Sequence, residues 1–380
     1  MKVGIGLIGY GNIGKVHAHG YRSISSYYNI GYHDIDLIGV CTAHDNTGQQ
    51  AIRSHNFQYC CTDYRKLLED KNINVIDCSI PNRMHYQIVI DAIEAGKHVY
   101  CEKPLAMNTK EAECMLEKAT ASEVKCQIAF NYRFIPAISR AKQLIGEGRL
   151  GKVLNFRCFY LHSGYLDLKR PISWRLNKSI SGGGALVDLG SHCLDLIRHL
   201  IADTISVFAS MYTIVKSRPD QNGSSHMVSV DVDDVSYLQL TLANGAIGTV
   251  EASRLSTGSV DELRLEIQGE KGAVRFNLMD PNWLYFYDNN PKSEPFGGDR
   301  GFKRIETLQR YPDTELKACS RTSVGWQRFH MESQYSFIRS IIYDLDPVPS
   351  FKDGFEVQRI LEAAYKSAEK KKWIVLSRDL

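Results

Sequence analysis

The sequence predicts an α/β protein in two parts. Residues 1–130 form a doubly wound parallel sheet, and residues 131–380 an α+β domain with a large open, mostly antiparallel sheet. Three observations carry this expectation. The first third alternates short β-branched runs with amphipathic stretches, the pattern of a parallel sheet covered on both faces. After Gly151, strand-like runs follow one another with turn residues between them. The length of 380 residues exceeds one ordinary domain of about 150, so each part can bury its own core.

In chain order, strands are expected at Val3–Ile8, Leu37–Cys41, Val75–Ser79, His98–Cys101 and Lys125–Phe130. Between them, Tyr86–Glu94 carries Ile88, Ala92 and Ile93 at helical spacing. A second helix opens at Asn108, where Glu111 completes a capping pair. In the second part, Gly182-Gly183-Gly184 precedes a helix over Ala185–Leu200. Strands then follow at Val207–Val215, Met227–Leu242, Ala246–Ser253, Leu263–Gln268, Ala273–Asn277 and Leu284–Tyr287. Asn244-Gly245 is a hairpin turn, since both residues tolerate positive φ. Asn289–Val324 reads as a long excursion, and helices over Gln327–Tyr343 and Gly354–Lys370 with a strand at Trp373–Leu376 close the chain.

Apolar residues at 43% and charged residues at 23% exclude a disordered or fibrous chain. A net charge of +3 is too small to gather nucleic acid or an anionic membrane, so neither partner is expected. No apolar run reaches the ~20 residues of a membrane span, and Met1–Ile5 has no secretory character. A soluble, cytoplasmic protein is expected. Ten cysteines lie mostly singly within apolar segments, with no Cys-x-x-Cys pair, so no metal is expected and the thiols read as reduced core residues.

Gly9-Tyr10-Gly11-Asn12-Ile13-Gly14 follows a strand and opens a helix. In such a G-x-G-x-x-G turn the first glycine allows the bend and the second lets backbone approach a pyrophosphate. The third lets helix pack on strand, and the helix N-terminus supplies N–H donors. A dinucleotide cofactor follows. The acid that ordinarily holds the ribose 2′-hydroxyl is missing after the second strand, where Cys41-Thr42-Ala43-His44 stands. Thr42 can bond the ribose in its place. No Arg stands there to neutralise a 2′-phosphate and Asp45 would repel one, which favours NAD over NADP.

The string Ala95-Gly96-Lys97-His98-Val99-Tyr100-Cys101-Glu102-Lys103-Pro104-Leu105-Ala106 resembles the signature of the glucose–fructose oxidoreductase / inositol dehydrogenase (Gfo/Idh/MocA) family. Pro81-Asn82 with His85, Asn131-Tyr132-Arg133-Phe134 with Pro136, and Gly182–Gly184 followed by Asp188 and His192 agree with it. The resemblance spans nearly the whole chain. It implies an N-terminal Rossmann domain and a C-terminal sheet that joins subunits into a homodimer or homotetramer. It also implies hydride transfer between a nicotinamide and a secondary alcohol of a sugar, cyclitol or glycoside. Cofactor contacts are then expected from Gly9, Gly11, Asn12, Ile13, Gly14, Thr42, Pro81, Asn82, His85, Glu102 and Lys103.

Oxidising a secondary alcohol needs a proton acceptor and a group that steadies the developing alkoxide. Lys103 ends a strand on the carboxyl side of the sheet, where such sheets bind ligands, and the following proline keeps a helix from starting there. Asp188 and His192, four apart on a helix, share a face, and a carboxylate beside an imidazole favours the charged ring. The resemblance implies His192 as base, Lys103 polarising the same hydroxyl and Asp188 orienting both; which of Lys103 and His192 takes the proton stays open. Asp195 and His199 read as structural. Tyr132, Arg133, His162, Trp174, Arg175 and His192 are candidates for the substrate wall, an indole and a guanidinium suiting a sugar ring. Two alternatives stand beside a dehydrogenase: an enzyme that recycles tightly held NAD during transient ring oxidation, and a non-catalytic dinucleotide-binding regulator.

Overall fold

Alternation of strand and helix builds the first sheet as the sequence predicts. The elements are β1 (Val3–Ile8), α1 (Asn12–Tyr27), β2 (Ile35–Cys41), α2 (Asp45–His55), β3 (Tyr59–Cys61), α3 (Arg65–Glu69) and β4 (Val75–Cys78). They continue as α4 (His85–Glu94), β5 (His98–Cys101), α5 (Thr109–Thr120) and β6 (Cys126–Ile128). All pairs are parallel, in the order β3-β2-β1-β4-β5-β6. Strand order reverses between β1 and β4, and the carboxyl ends there form the crevice where such sheets take ligands. The pair expected at α5 is formed: Asn108 Oδ1 accepts from the Glu111 amide at 2.9 Å while Glu111 accepts from the Met107 amide. Tyr59–Cys61 escapes the sequence reading because three residues are too few to show a period.

The second sheet has nine strands. After α6 (Pro136–Gly146) come β7 (Val153–Leu161), α7 (Lys178–Ser181), α8 (Ser191–Leu200), β8 (Thr204–Tyr212), β9 (Ser217–Pro219) and β10 (Met227–Ser229). Next are β11 (Val235–Leu242), β12 (Ile247–Ser253), β13 (Glu262–Gly269), β14 (Gly272–Asn277), β15 (Trp283–Asp288) and β16 (Phe302–Glu306). The chain closes with α9 (Trp326–Ile342), α10 (Phe351–Lys370) and β17 (Ile374–Val375). The sheet order is β16-β15-β14-β13-β7-β12-β11-β8-β17, with β7–β12 its parallel pair. The strand expected over Met227–Leu242 is broken into β10 and β11, which belong to different sheets. In the β11–β12 turn only Gly245 takes positive φ, at 85°, and Asn244 instead accepts from the Ala246 amide.

The computed structural model describes residues 2–30, 34–221, 226–289, 298, 300–308, 311 and 322–376. Much of the expected 289–324 excursion, and Cys319, lie outside them; β16 lies within it. The chain divides into two compact units, Met1–Phe134 with Tyr311–Gln358, and Ile135–Arg310 with Arg359–Leu380. A single boundary after residue 130 is therefore not what the contacts give, because a late segment returns to the first unit. The cause is α9: its Met331, Phe337, Ile338 and Ile341 share one buried cluster with Ile5, Tyr21 and Ile24 of β1 and α1. None of the nine described cysteines forms a disulfide, and seven are buried. Among the described residues no helix is long and apolar enough to cross a membrane.

Candidate functional site

In the first unit the cradle has the form its glycines predict. Gly9 sits at φ 95°, and a β-carbon on it would lie 2.3 Å from the Ser79 carbonyl oxygen, so only glycine fits. A β-carbon on Gly14 would lie 2.1 Å from the Gly9 carbonyl oxygen, which is the close helix–strand packing the third glycine serves. At Gly11 the same atom would meet nothing within 4 Å. Gly11 caps α1 without a side-chain bond, no acid stands in the first turn, and Gly11 and Asn12 are exposed. This end of α1 offers amide donors and open space, which fits the pyrophosphate of a dinucleotide.

Around the cradle the candidates divide. Thr42 is buried at the end of β2, and its hydroxyl donates to the His44 carbonyl at 2.9 Å. Its oxygen keeps acceptor capacity, while His44 and Asp45 beside it are exposed. Pro81 and Asn82 open a short 3₁₀ turn after β4. The buried His85 ring places Nε2 3.0 Å from the Ile80 carbonyl and Nδ1 3.0 Å from the Pro104 carbonyl. It braces the two turns that carry Asn82 and Lys103, and burial pushes its pKa below the ordinary value. Tyr132 is buried, and Arg133 pairs with Asp353 at 2.9 Å.

Beneath Lys103 lies a charged cluster that the sequence reading missed. His17 of α1 has Nδ1 3.0 Å from both Asp77 oxygens and Nε2 3.2 Å from Glu102 Oε1. Glu102 Oε2 accepts from the Lys103 amide at 3.1 Å. Burial alone would push the His17 pKa down, but Asp77 and Glu102 outweigh it and raise it to about 10. Burial opposes the charge on Glu102 as well, and His17 followed by Lys103 brings its pKa down to about 2. His330 of α9, its ring 5.6 Å from that of His17, is pushed to about 3 by burial and then by the charge on His17. One signal was readable: Asp77 is a lone carboxylate in Val75-Ile76-Asp77-Cys78, a strand buried throughout, and such a charge needs a partner.

The second unit carries Asp188 and His192. The helix expected over Ala185–Leu200 begins instead as a π turn at Leu186–Gly190, with Asp188 in it, and becomes α8 at Ser191. The glycines before it serve packing. A β-carbon on Gly184 would lie 1.9 Å from the Asp233 carbonyl oxygen, and one on Gly183 2.0 Å from the Tyr365 hydroxyl. Asp233 accepts from the Gly184 and Leu186 amides at 2.9 and 2.8 Å and from the Tyr365 hydroxyl at 2.5 Å. The backbone ahead of Asp188 is thus laid against a fixed hydrogen-bond hub.

Asp188 Oδ2 is 3.1 Å from Arg254 Nη2 and 4.0 Å from Arg175 Nε, so the structure brings Asp188 and Arg175 together. Burial opposes the charge on Arg254, and Asp188 more than offsets it, raising its pKa. Arg254 follows β12 inside Ser253-Arg254-Leu255, where nothing in the sequence marks it. The Arg175 guanidinium lies 4.3 Å from the centre of the half-buried Trp174 ring. The buried His192 ring meets Tyr160 edge to face at 5.9 Å. The Tyr160 hydroxyl donates to Asp261 at 2.6 Å, and His162 pairs with the same carboxylate at 3.1 Å. Asp195 is buried on α8, and His199 lies 3.2 Å from Lys142 Nζ.

Comparison with known proteins agrees with both units. Residues 3–130 match the oxidoreductase family model of the NAD-binding Rossmann fold, and residues 138–275 match the GFO/IDH/MocA C-terminal domain. Levoglucosan dehydrogenase of Pseudarthrobacter phenanthrenivorans is 32% identical over 98% of each chain. Myo-inositol 2-dehydrogenase of Thermotoga maritima is 26% identical, again over 98% of each. The solved structure of levoglucosan dehydrogenase with NADH and levoglucosan superposes with a TM-score of 0.93 at 33% identity, covering 100% of both chains. This chain is a member of the Gfo/Idh/MocA family, an oxidoreductase with an NAD-binding Rossmann fold whose relatives include sugar and inositol dehydrogenases.

Proposed function

We propose that the protein oxidises one secondary hydroxyl of a neutral sugar ring of the levoglucosan kind, with NAD in preference to NADP. The observation that carries this reading is the full-length likeness to levoglucosan dehydrogenase. A neutral ring is favoured over a phosphorylated one because Arg175 and Arg254 are both drawn to Asp188. Asp45, exposed at the start of α2, supports NAD by repelling a 2′-phosphate.

Gly9, Gly11, Asn12, Ile13 and Gly14 would hold the pyrophosphate, Thr42 the ribose, and Pro81, Asn82, Glu102 and Lys103 the nicotinamide end. Bound NAD would supply the hydride acceptor. Lys103 and His192 handle the hydroxyl proton: a lysine ammonium polarises the oxygen, and the imidazole is the base nearest neutrality. Asp188, anchored by Arg254, orients them. Trp174 offers an aromatic face to a sugar ring, and His162 and Tyr132 complete the wall. His85 and Arg133 act through the turns they brace. The exposed apolar side chains of Tyr237 and Ile247 on the open sheet support self-association as a homodimer or homotetramer. The nine described cysteines, none of them in a disulfide, fit a reducing, cytoplasmic setting.

The test is NADH appearance at 340 nm with levoglucosan, myo-inositol, glucose and glucose 6-phosphate, against NAD and NADP. Neutral rings should exceed the phosphorylated one in kcat/KM by at least ~10-fold, about 1.4 kcal/mol. Preference for glucose 6-phosphate would overturn the substrate class. In Lys103→Met, turnover should fall ~100-fold or more, the scale of a lost proton-handling group. Wild-type rates in that variant remove Lys103 from the reaction.

A further inference from the structure

The cluster under Lys103 assigns a task to a residue that touches neither substrate nor cofactor in the reading above. His17 is fully buried between two carboxylates, Asp77 at Nδ1 and Glu102 at Nε2. Nδ1 hydrogen-bonds Asp77, while Nε2 meets Glu102 as an ion pair at 3.2 Å without hydrogen-bond alignment; carboxylates only accept, so a ring facing one on each side carries a proton on both nitrogens and is an imidazolium. Asp77 is further held by the Tyr21 hydroxyl at 2.9 Å and the Ser79 hydroxyl at 2.6 Å, which fixes one side of the ring. The Tyr100 ring stands edge-on at 5.4 Å and His330 closes the remaining side. Without the polar hydrogen that the ring turns toward Oε1, Glu102 would lose what fixes its orientation, and its grip on the Lys103 amide would weaken.

We propose that His17 is a positioning residue for Lys103: held between Asp77 and Glu102, its ring fixes the carboxylate on which the Lys103 amide rests. The proposal depends on the reading of Lys103 as a proton-handling group. His17, Glu102 and His330 also place ligand atoms close enough together to hold a metal ion. An ion would have to bind where the Lys103 charge already acts on Glu102 and His330.

Two substitutions separate the two sides of the ring. Asparagine places its amide nitrogen near Nδ1 and keeps the donor to Asp77; glutamine reaches the Nε2 position and keeps the donor to Glu102. If the ring acts through Glu102, His17→Asn lowers kcat on the best sugar by ~10-fold or more. His17→Gln stays within ~3-fold of wild type. Equal losses in both variants, or the larger loss in His17→Gln, overturn the proposal. A second measurement needs no variant and no turnover: ¹⁵N NMR of histidine-labelled protein should show both His17 nitrogens protonated at pH 8. A neutral ring there overturns the proposal, and this measurement decides if either variant fails to fold. Purified protein with one equivalent of bound zinc also overturns it, since a metal-bound Nε2 carries no proton. If Lys103→Met keeps wild-type rates, the Lys103 reading falls while the state of the ring stands. If Lys103→Met is inactive and the two His17 variants lose equally, positioning alone is refuted.

Discussion

Two glycine-rich turns, one in each unit, differ in what faces them. At Gly11 a β-carbon would enter open space, while at Gly184 it would lie 1.9 Å from the Asp233 carbonyl oxygen. The first glycine leaves room for a ligand. The second is demanded by a neighbour already in place, and the chain after it leads straight to Asp188. From sequence both are glycine runs that open a helix. The lesson is that a glycine near a functional segment points to binding only where the space before it is empty; otherwise it points to the scaffold that holds the functional side chains.

The largest effect should separate these turns. Gly184→Ala forces backbone against backbone and should cost about 3 kcal/mol or more, the upper end for an overpacked site. The measurement is chemical denaturation, and a variant as stable as wild type would break the comparison. Gly11→Val should do the reverse. Its extended backbone, φ −76° and ψ −164°, suits any residue, so Tm should hold. Dinucleotide affinity by titration should fall ~100-fold, about 2.8 kcal/mol, because the side chain fills the space the pyrophosphate needs. Unchanged affinity would mean that the turn serves another purpose.

What lies beneath the turns sharpens the contrast further, through pH. The strand ends beside the cradle rest on buried charge, whereas the glycine run rests on the Asp233 hub. His330, pushed to about 3, takes up a proton on unfolding when the pH is between that value and the ordinary histidine range near 6.5. The stability it contributes is complete above ~6.5 and is lost as pH falls toward 3. His17, raised to about 10, works the other way: its contribution is complete below ~6.5 and is lost as pH rises through 10. Glu102, lowered to about 2, adds to the acid limb below the ordinary carboxylate range. The stability carried by these three groups should therefore peak near pH ~6.5, with slopes of at most ~1.4 kcal/mol per pH unit for each proton. Hydrogen exchange in α1 and β4 against pH reads this directly. In His330→Gln the slope between pH ~6.5 and ~4.5 should flatten; an unchanged slope would remove His330 from the account.

The fold was legible wherever a period or a turn residue was strong. β1 and β5 stand at their expected limits, and the Asn108 cap formed as its spacing required. The return of α9 to the first unit was not legible, because an amphipathic helix shows that it has an apolar face but not which surface covers it. The cradle could be read because each of its glycines has a local reason. Arg254, Asp233, Tyr160 and His17 could not, because their partners are distant in sequence: Asp233 meets Gly184 across 49 positions and His17 meets Asp77 across 60. The Asp188–His192 spacing named two residues for the reaction but gave no sign of the π turn or of the guanidinium on Asp188.

The smallest predicted effect tests the rim of the cradle, where this chain departs from the usual pattern. Thr42 stands where a carboxylate ordinarily meets the ribose, and its proton is spent on the His44 carbonyl. It can therefore accept from a 2′-hydroxyl but carries no charge to repel a 2′-phosphate, leaving that task to the exposed Asp45. One neutral hydrogen bond is worth about 1.4 kcal/mol, so the wild type should prefer NAD by only ~10-fold. Thr42→Asp brings charge to the rim and should widen that preference, since a carboxylate accepts from the hydroxyl and repels the phosphate. The quantity to compare is the ratio of kcat/KM for NAD and NADP in both proteins. A wild-type ratio in the thousands, or a ratio that does not move in the variant, would mean that Thr42 is not the ribose position. Selection would then rest on His44 or Asp45, whose exposure at the same rim makes them the next residues to exchange.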